Sequence, residues 1–166
     1  MKQFKIDYMR WGNNKPPYYV RKLIKYFRLG KKHFFYKVLF TIHKRRHHIE
    51  IPWNTEIGSG LFINHPYGIT INCFAKIGAN CNLSKNVLIG QELRGPRKGS
   101  PVLGNNVYVG IGAAIVGKVT IGDDVLIAPN SFVNCDVPSH SVVFGNPCII
   151  KHKDNATKDY IWHPVV

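Results

Sequence analysis

The apolar residues from Ile51 onwards recur every six residues, a spacing that neither a helix nor a simple strand explains. Thirteen positions, spaced by six residues apart from one step of eight and one of fourteen, are all Ile, Leu or Val. This period predicts a solenoid in which each coil has three short strands and each hexapeptide points one aliphatic side chain inward. A chance pattern in an ordinary β-sandwich is the alternative, and thirteen consecutive matches disfavour it. The positions are Ile51, Ile57, Ile63, Ile71, Ile77, Leu83, Ile89, Leu103, Val109, Ile115, Ile121, Ile127 and Val133.

Glycine often directly follows the inward aliphatic residue. Because glycine tolerates positive φ, we expect these positions to form the tight corners of the coils. The glycines are Gly58, Gly78, Gly90, Gly104, Gly110 and Gly122.

The segment before the repeat is strongly basic. Residues 1–50 carry 14 Lys and Arg against 2 Asp and Glu, a net charge of +12, and the rest of the chain carries 9 against 7, a net +2. Within residues 16–48, Tyr19, Leu23, Tyr26 and Phe27 recur at helical spacing, and Gly30 predicts a break between two helices. These helices either cap the open end of the solenoid or form a basic amphipathic surface for an anionic membrane, or both. Nucleic-acid binding is disfavoured because no groove-reading motif is present.

The composition divides the chain into a basic helical segment at 1–48, a solenoid domain at 49–150 and a C-terminal tail at 151–166. No apolar stretch reaches the length of a membrane span, and the first residues lack the apolar core of a signal peptide. We therefore expect a cytoplasmic protein, or one peripheral to the inner face of the cell membrane, with reduced cysteines. The four cysteines form no CxxC pair and have no histidine at zinc-finger spacing, so no metal is expected.

The stretch "FINHPYGITIN" interrupts the repeat at its eight-residue step, and "GQELRGPRKGSPV" fills the fourteen-residue step. With both interruptions and the ending "VPSHSVVFGNPCIIK", residues 51–150 resemble the left-handed β-helix hexapeptide acyltransferases. The resemblance is to the serine acetyltransferase branch, which includes polysaccharide O-acetyltransferases. It implies a left-handed parallel β-helix, acetyl-CoA as co-substrate, and a homotrimer with each active site between adjacent subunits.

His65 is the candidate catalytic residue. It lies two residues after an inward aliphatic position, so we expect its side chain on the outside of the solenoid, where a neutral imidazole can take a proton from an attacking alcohol. The resemblance implies that it is the general base, with Gly68 as the motif glycine. A surface histidine at a turn is the alternative. Asn64 stands where the family has aspartate.

The resemblance also implies a donor site for acetyl-CoA along the C-terminal coils, at Gly110, Ile111, Ala128 and Pro129. Small residues there let the pantetheine arm approach the backbone, and the Gly110 N–H is a candidate oxyanion donor. Three lysines are candidates for the CoA phosphates, although each is equally explained as a solvated side chain. They are Lys118, Lys151 and Lys153.

The residues predicted to bind the acceptor are Asn64, Glu92 and Ser100. Ser100 replaces the second histidine of the serine acetyltransferases and Gly99 replaces an arginine, and that family's long N-terminal helical domain is missing. Glu92 either orients His65 or binds a sugar hydroxyl, and Arg94, Arg97 and Lys98 are available for anions. Because a sugar needs no charged partners, the sequence predicts an O-acetyltransferase for a saccharide or lipid-linked saccharide in surface polysaccharide biosynthesis. The alternatives are a serine O-acetyltransferase of cysteine biosynthesis and an inactive trimeric scaffold with a membrane-binding arm.

Overall fold

A computed structural model describes residues 2–165; residues 1 and 166, the outermost residues of the predicted N-terminal segment and tail, lie outside the described part. Three helices come first: α1 (Gln3–Met9), α2 (Tyr18–Gly30) and α3 (Phe34–Arg46). Short strands follow: β1 (Glu56–Ile57), β2 (Phe62–Ile63), β3 (Thr70–Ile71), β4 (Lys76–Ile77), β5 (Asn82–Leu83), β6 (Leu88–Gly90), β7 (Val102–Leu103), β8 (Val107–Val109), β9 (Ala114–Val116), β10 (Thr120–Ile121), β11 (Val125–Ile127), β12 (Phe132–Val133), β13 (Ser141–Phe144) and β14 (Ile149–His152).

The strands form three sheets that the chain visits in turn. Sheet 1 has the order β1-β4-β7-β10, sheet 2 the order β14-β13-β11-β8-β5-β2, and sheet 3 the order β12-β9-β6-β3. All pairings are parallel except that of β13 with β14, which closes the C-terminal end. The chain is a left-handed parallel β-helix behind a short helical segment, as the sequence predicted.

The interior of the β-helix is built from the predicted aliphatic positions. All thirteen are buried, and equivalent positions stack across coils, as Ile77 does on Leu103 and Leu103 on Ile121. The small and β-branched residues two positions earlier, such as Ala113 and Val125, are buried as well. The predicted aliphatic positions are therefore confirmed, and the hexapeptides bury a second, mostly smaller side chain beside them.

The reason for the repeated glycines differs from the prediction. The left-handed backbone positions lie three residues after an inward aliphatic residue, as at Asn80, Asn106 and Asp124, and none of the six predicted corner glycines has positive φ. A Cβ at Gly78 would instead overlap the Gly104 carbonyl of the next coil. Five of the six glycines are required by this close approach of backbones, and Gly90, where a Cβ meets only a leucine side chain at 3.4 Å or more, is the exception.

Helices α2 and α3 cover the first coil. Leu23 and Phe27 of α2 and Phe40 of α3 are part of the same buried cluster as the β-helix interior. The predictions of two helices around Gly30 and of a cap are confirmed, whereas α1 was not predicted. Membrane contact stays a prediction. Its structural basis is a row of exposed apolar side chains on α3: Phe34, Phe35, Val38 and Ile42.

Among the described residues, no helix combines the length and the apolar character needed to cross a bilayer. The boundaries of the predicted domains stay a prediction.

Buried charges join α1 and α2 to the first coil. Asp7 and Arg28 form a buried ion pair, with Nε and Oδ2 2.8 Å apart. Asp7 Oδ1 accepts the N–H groups of Gly60 and Leu61, and Arg28 donates to the carbonyls of Ile57 and Gly58. Arg10 donates to the Gly60 carbonyl at 2.7 Å. We call this contact of Asp7, Arg10 and Arg28 with the backbone of residues 57–61 the polar seam.

The C-terminal tail, residues 153–165, folds back along sheet 2. Asp124 anchors it by accepting hydrogen bonds from the backbone of Ala156 and from the backbone and hydroxyl of Thr157. Further along, the Tyr160 ring packs against Tyr108 with ring centroids 4.9 Å apart. The tail thus covers part of the same sheet that ends at the corner bearing His65.

Candidate active site

His65 lies at the corner where the chain passes from sheet 2 to sheet 3. The predicted donor-site residues occupy the same corner in later coils, with Gly110 and Ile111 after β8 and Ala128 and Pro129 after β11. Because neighbouring parallel strands are about 4.8 Å apart, these positions lie roughly 10 and 14 Å from His65 along the solenoid axis. The structure therefore brings the candidate base and the candidate donor site onto one edge.

The corner is enlarged at His65. Ile63 pairs with Leu83 across 20 residues, whereas Val109 pairs with Ile127 across 18, so the His65 turn contains two extra residues. These displace the histidine from the wall and leave it exposed. The Asn64 Nδ2 and His65 Nε2 atoms are 3.2 Å apart, so the amide donates to the imidazole when Nε2 carries no proton. Asn64 also lines the cavity described next, so its predicted contact with the acceptor stays a prediction.

A cavity of about 420 Å³ opens beside His65. Its volume lies within the range that small-molecule sites occupy. The cavity wall combines outward side chains of sheet 2, corner residues, Arg10 and the C-terminal tail. The lining residues are Arg10, Phe62, Asn64, His65, Asn82, Leu83, Ser84, Tyr108, Ile111, Asp159, Tyr160 and Trp162.

Two charged residues of this cavity come from opposite ends of the chain. Arg10 is only 2% exposed, and its guanidinium donates to the carbonyls of Trp162 and Gly60 and to the Asn82 side chain. Burial lowers the pKa of Arg10 to about 10, which leaves it charged at neutral pH. Asp159 lies in the exposed part of the tail. Neither residue was predicted as part of the site, because Arg10 is one basic residue among many in its segment and no sequence pattern shows the path of the tail.

The predicted oxyanion donor is corrected by the geometry. The Gly110 N–H already donates to the Ile127 carbonyl at 2.9 Å, because it belongs to the ladder between coils. The next N–H, that of Ile111, makes no hydrogen bond to another described residue, and Ile111 is one of the residues that line the cavity. It is the better candidate for stabilising a developing oxyanion.

The loop between β6 and β7 lies at a different corner, between sheets 3 and 1. Ser100 donates to Asn72 at 3.0 Å, and the Glu92 carboxylate accepts the backbone N–H groups of Leu93 and Arg94. Neither residue lines the cavity at His65. Within one protomer the structure therefore does not bring these predicted acceptor residues to the candidate base.

The three candidate lysines are also dispersed. Lys118 lies under the same loop, where its N–H donates to the Arg97 carbonyl. Lys151 is on β14, with its Nζ 5.7 Å from the centre of the Phe144 ring, near the C-terminal end of the His65 corner. Lys153 lies beside His140 at the opposite border of sheet 2. Of the three, only Lys151 lies near the edge that carries Ile111 and Pro129.

The cysteines offer no nucleophile at the cavity. Cys81 points into the solenoid, and burial raises the pKa of its thiol to about 12, so it stays protonated. Within residues 2–165, no group of three or more His, Cys, Asp or Glu side chains is arranged to hold a metal ion.

The family match, the similar sequences and the similar solved structures all point to hexapeptide-repeat transferases and serine acetyltransferases. Residues 100–135 match the family described as bacterial transferase hexapeptide (six repeats). The chain is 34% identical to a serine acetyltransferase of Helicobacter pylori over 134 residues, which cover 72% of this chain and 78% of that enzyme. It is 38% identical to the Staphylococcus xylosus serine acetyltransferase over 106 residues, but covers only 49% of that enzyme. The crystal structure of the Brucella abortus serine acetyltransferase shares the fold, with a TM-score of 0.74, 23% identity and coverage of 93% of this chain and 70% of that chain.

These relatives overturn one prediction. The saccharide acceptor and the role in polysaccharide biosynthesis are wrong, since the similar proteins are serine acetyltransferases. The prediction rested on the absence of charged side chains at positions 99 and 100. The cavity at His65 nevertheless contains two charged residues, Arg10 and Asp159. Sequence spacing does not show that these two residues meet there. The enzyme class was predicted correctly: the protein is an acyltransferase, not an inactive scaffold. The chain belongs to the hexapeptide-repeat acyltransferases, in the branch of the serine acetyltransferases.

Proposed function

We propose that this protein transfers the acetyl group of acetyl-CoA to the hydroxyl of L-serine. The proposal is carried by the 34% identity to the Helicobacter pylori serine acetyltransferase across most of that enzyme. It is supported by a cavity at His65 of a size suited to a small acceptor.

In this proposal His65 is the general base. Its Nε2 takes the proton of the serine hydroxyl as the serine oxygen forms a bond to the acetyl carbonyl carbon. The Ile111 N–H stabilises the negative charge that develops on the carbonyl oxygen. As the carbon–sulfur bond breaks, the imidazolium returns the proton to the departing sulfur. Asn64 holds the ring until the hydroxyl replaces its amide as the partner of Nε2.

Acetyl-CoA supplies the activated acetyl thioester in this scheme. The residues at the His65 corner fit an extended pantetheine arm, since Gly112 and Ala128 leave the backbone partly exposed and Ile111 adds an apolar side chain. In the proposal Lys151 binds a CoA phosphate, which its position near the end of this edge supports.

We also propose a homotrimer. In it, the corner between sheets 3 and 1, which carries the loop between β6 and β7 (the loop corner), faces the His65 corner of the next subunit, between sheets 2 and 3. The loop corner exposes an apolar patch, of the kind that marks protein interfaces. The patch contains Phe74, Leu88, Leu93 and Val102. This arrangement would bring Arg94, Arg97 and Lys98 of one subunit to the acetyl-CoA edge of its neighbour, which a single protomer does not do.

The test is an assay of CoA thiol release with acetyl-CoA and L-serine, on protein whose mass has been measured by light scattering. His65→Ala is expected to lower kcat by about two to four orders of magnitude, because general base catalysis contributes that much. His152→Ala is the matched control, since that histidine is 70% exposed, on β14, and outside the cavity. A wild-type protein that binds acetyl-CoA but does not acetylate L-serine contradicts the proposed acceptor. A monomer with full activity contradicts the trimeric site.

A further inference from the structure

Arg10 is a buried cation that makes no direct ion pair with any described residue, although Asp7 in the same polar seam and the Phe62 ring, 5.6 Å from the guanidinium carbon, also stabilise its charge. Its three hydrogen-bond acceptors are neutral: the carbonyls of Trp162 and Gly60, and the Asn82 side chain. Arg28, in the same polar seam, is neutralised by Asp7. Removing a cation from water without a carboxylate partner costs several kcal/mol. An unpaired arginine on the wall of a cavity is therefore suited to receive an anion from that cavity.

The Arg10 guanidinium has the capacity for such a partner. An arginine has five N–H donors, and Nε, Nη1 and Nη2 of Arg10 each donate one hydrogen bond to a described residue, which leaves one further donor on Nη1 and one on Nη2. A planar guanidinium with free donors matches the geometry of a carboxylate. The same cavity contains the candidate base His65.

An acidic residue, Asp159, lines this cavity too. Asp159, in the C-terminal tail, makes no ion pair with other described residues, and only its backbone carbonyl is engaged, by the Trp162 indole at 3.1 Å. Arg10, directly after α1, and Asp159 of the tail thus provide one cation and one anion in the cavity that contains the candidate base. A zwitterionic amino acid with a side-chain hydroxyl presents the complementary charges.

We propose that Arg10 binds the carboxylate of the amino-acid acceptor and Asp159 binds its ammonium group, so that the hydroxyl is directed to His65. This rests on the proposed function. The two residues take the place of charged groups that positions 99 and 100, Gly99 and Ser100, lack. The competing explanation is mechanical: Arg10 only fastens the tail to the first coil through its bond to Trp162.

The experiment compares variants against acceptors that lack one charge each. Wild-type protein, Asp159→Asn, Arg10→Lys and Arg10→Gln are assayed for kcat/KM with L-serine, with L-serinamide, which has no carboxylate, and with 3-hydroxypropanoate, which has no ammonium. Asp159→Asn is expected to lower kcat/KM for L-serine about 10- to 100-fold through KM, and to leave 3-hydroxypropanoate unchanged. Arg10→Gln is expected to lower kcat/KM for L-serine by a similar factor and to leave L-serinamide unchanged. Asp154→Asn, an 80% exposed carboxylate of the same tail, is the control with no expected change.

Equal losses with all acceptors would show a mechanical role and overturn the proposal. The melting temperature of each variant identifies misfolding. If the Arg10 variants do not fold, two other measurements test the proposal: the kcat/KM of Asp159→Asn with L-serine, and the wild-type preference for L-serine over L-serinamide. If Asp159→Asn causes no loss and the wild-type protein shows no preference, the proposal is refuted.

Calorimetric binding of L-serine separates this proposal from the proposed function. L-serine that binds wild-type protein without being acetylated refutes the function, while the binding constants of the variants still decide on Arg10 and Asp159. L-serine that does not bind at all overturns both.

Discussion

The interior of the β-helix and the polar seam at its first coils are stabilised by different interactions. The interior consists of stacked aliphatic side chains, in which each coil repeats the contacts of the one before, as Val109 stacks between Leu83 and Ile127. The polar seam consists of three buried charged side chains that bond to the backbone at residues 57–61, and Asp7 and Arg28 each serve several partners. The first region spreads its stability over many similar contacts, whereas the second concentrates it in a few.

This difference also separates scaffold from recognition. The repeated interior fixes the positions of the corners, including the edge that carries His65, Ile111 and Pro129. The polar seam and the tail bring Arg10 and Asp159 to that edge. Each of the following substitutions tests one side of the comparison.

The largest effect is expected for Asp7→Asn in the polar seam. The amide keeps an acceptor for the Gly60 and Leu61 N–H groups but leaves the Arg28 cation buried without a counter-charge. Breaking a buried pair in this way costs about 3–5 kcal/mol of the free energy of unfolding, measured by denaturant titration. Glu56→Gln is the control, since the Glu56–Lys76 pair is more than half exposed and contributes at most about 1 kcal/mol. Equal losses of unfolding free energy for the two substitutions would mean that the buried charges of the polar seam contribute no more stability than an exposed ion pair.

A smaller effect is expected for Gly78→Ala between coils. The new Cβ would overlap the Gly104 carbonyl, and a backbone atom in a parallel ladder has little room to move. We expect a loss of about 1–3 kcal/mol of unfolding free energy, as for overpacked sites. Gly90→Ala occupies the equivalent place after an inward aliphatic residue but meets only the Leu88 side chain, at 3.4 Å, so it should change stability by at most about 0.5 kcal/mol. If both glycines tolerate alanine, close backbone approach does not explain their recurrence.

The smallest effect concerns the anchor of the tail. Burial raises the pKa of Asp124, but hydrogen bonds from Thr157, His140 and Ala156 outweigh it, so the pKa lies below its ordinary value of 3.8. A lowered folded-state pKa contributes stability above the unfolded pKa, and this contribution is lost as the pH falls through the folded one. Asp124→Asn should therefore lower the unfolding free energy by about 1–2 kcal/mol at pH 7, and by progressively less as the pH falls below 3.8. Thermal melts of both proteins between pH 7 and 3 measure this, and a difference independent of pH would contradict it.

The sequence by itself determined the β-helix, its inward residues and the location of the candidate base. A six-residue period is a local property, because each hexapeptide forms one face of a coil and buries its aliphatic residue against the neighbouring coils. The two helices around Gly30 were predictable for the same reason, since Leu23 and Phe27 already form an apolar stripe within one helix. His65 was recognisable because it interrupts this pattern.

Only the tertiary structure decided which charged groups meet at the cavity. Arg10 and Asp159 lie near opposite ends of the chain, and their approach depends on how α1 and the tail pack on sheet 2. Ser100 was assigned to the acceptor site by the family resemblance and Glu92 as the only acid of its loop, but the protomer does not bring them to His65, because this loop emerges from another corner of the triangle. Contacts of this kind join residues far apart in the chain and do not recur at a fixed spacing. No local pattern in a single sequence therefore reveals them.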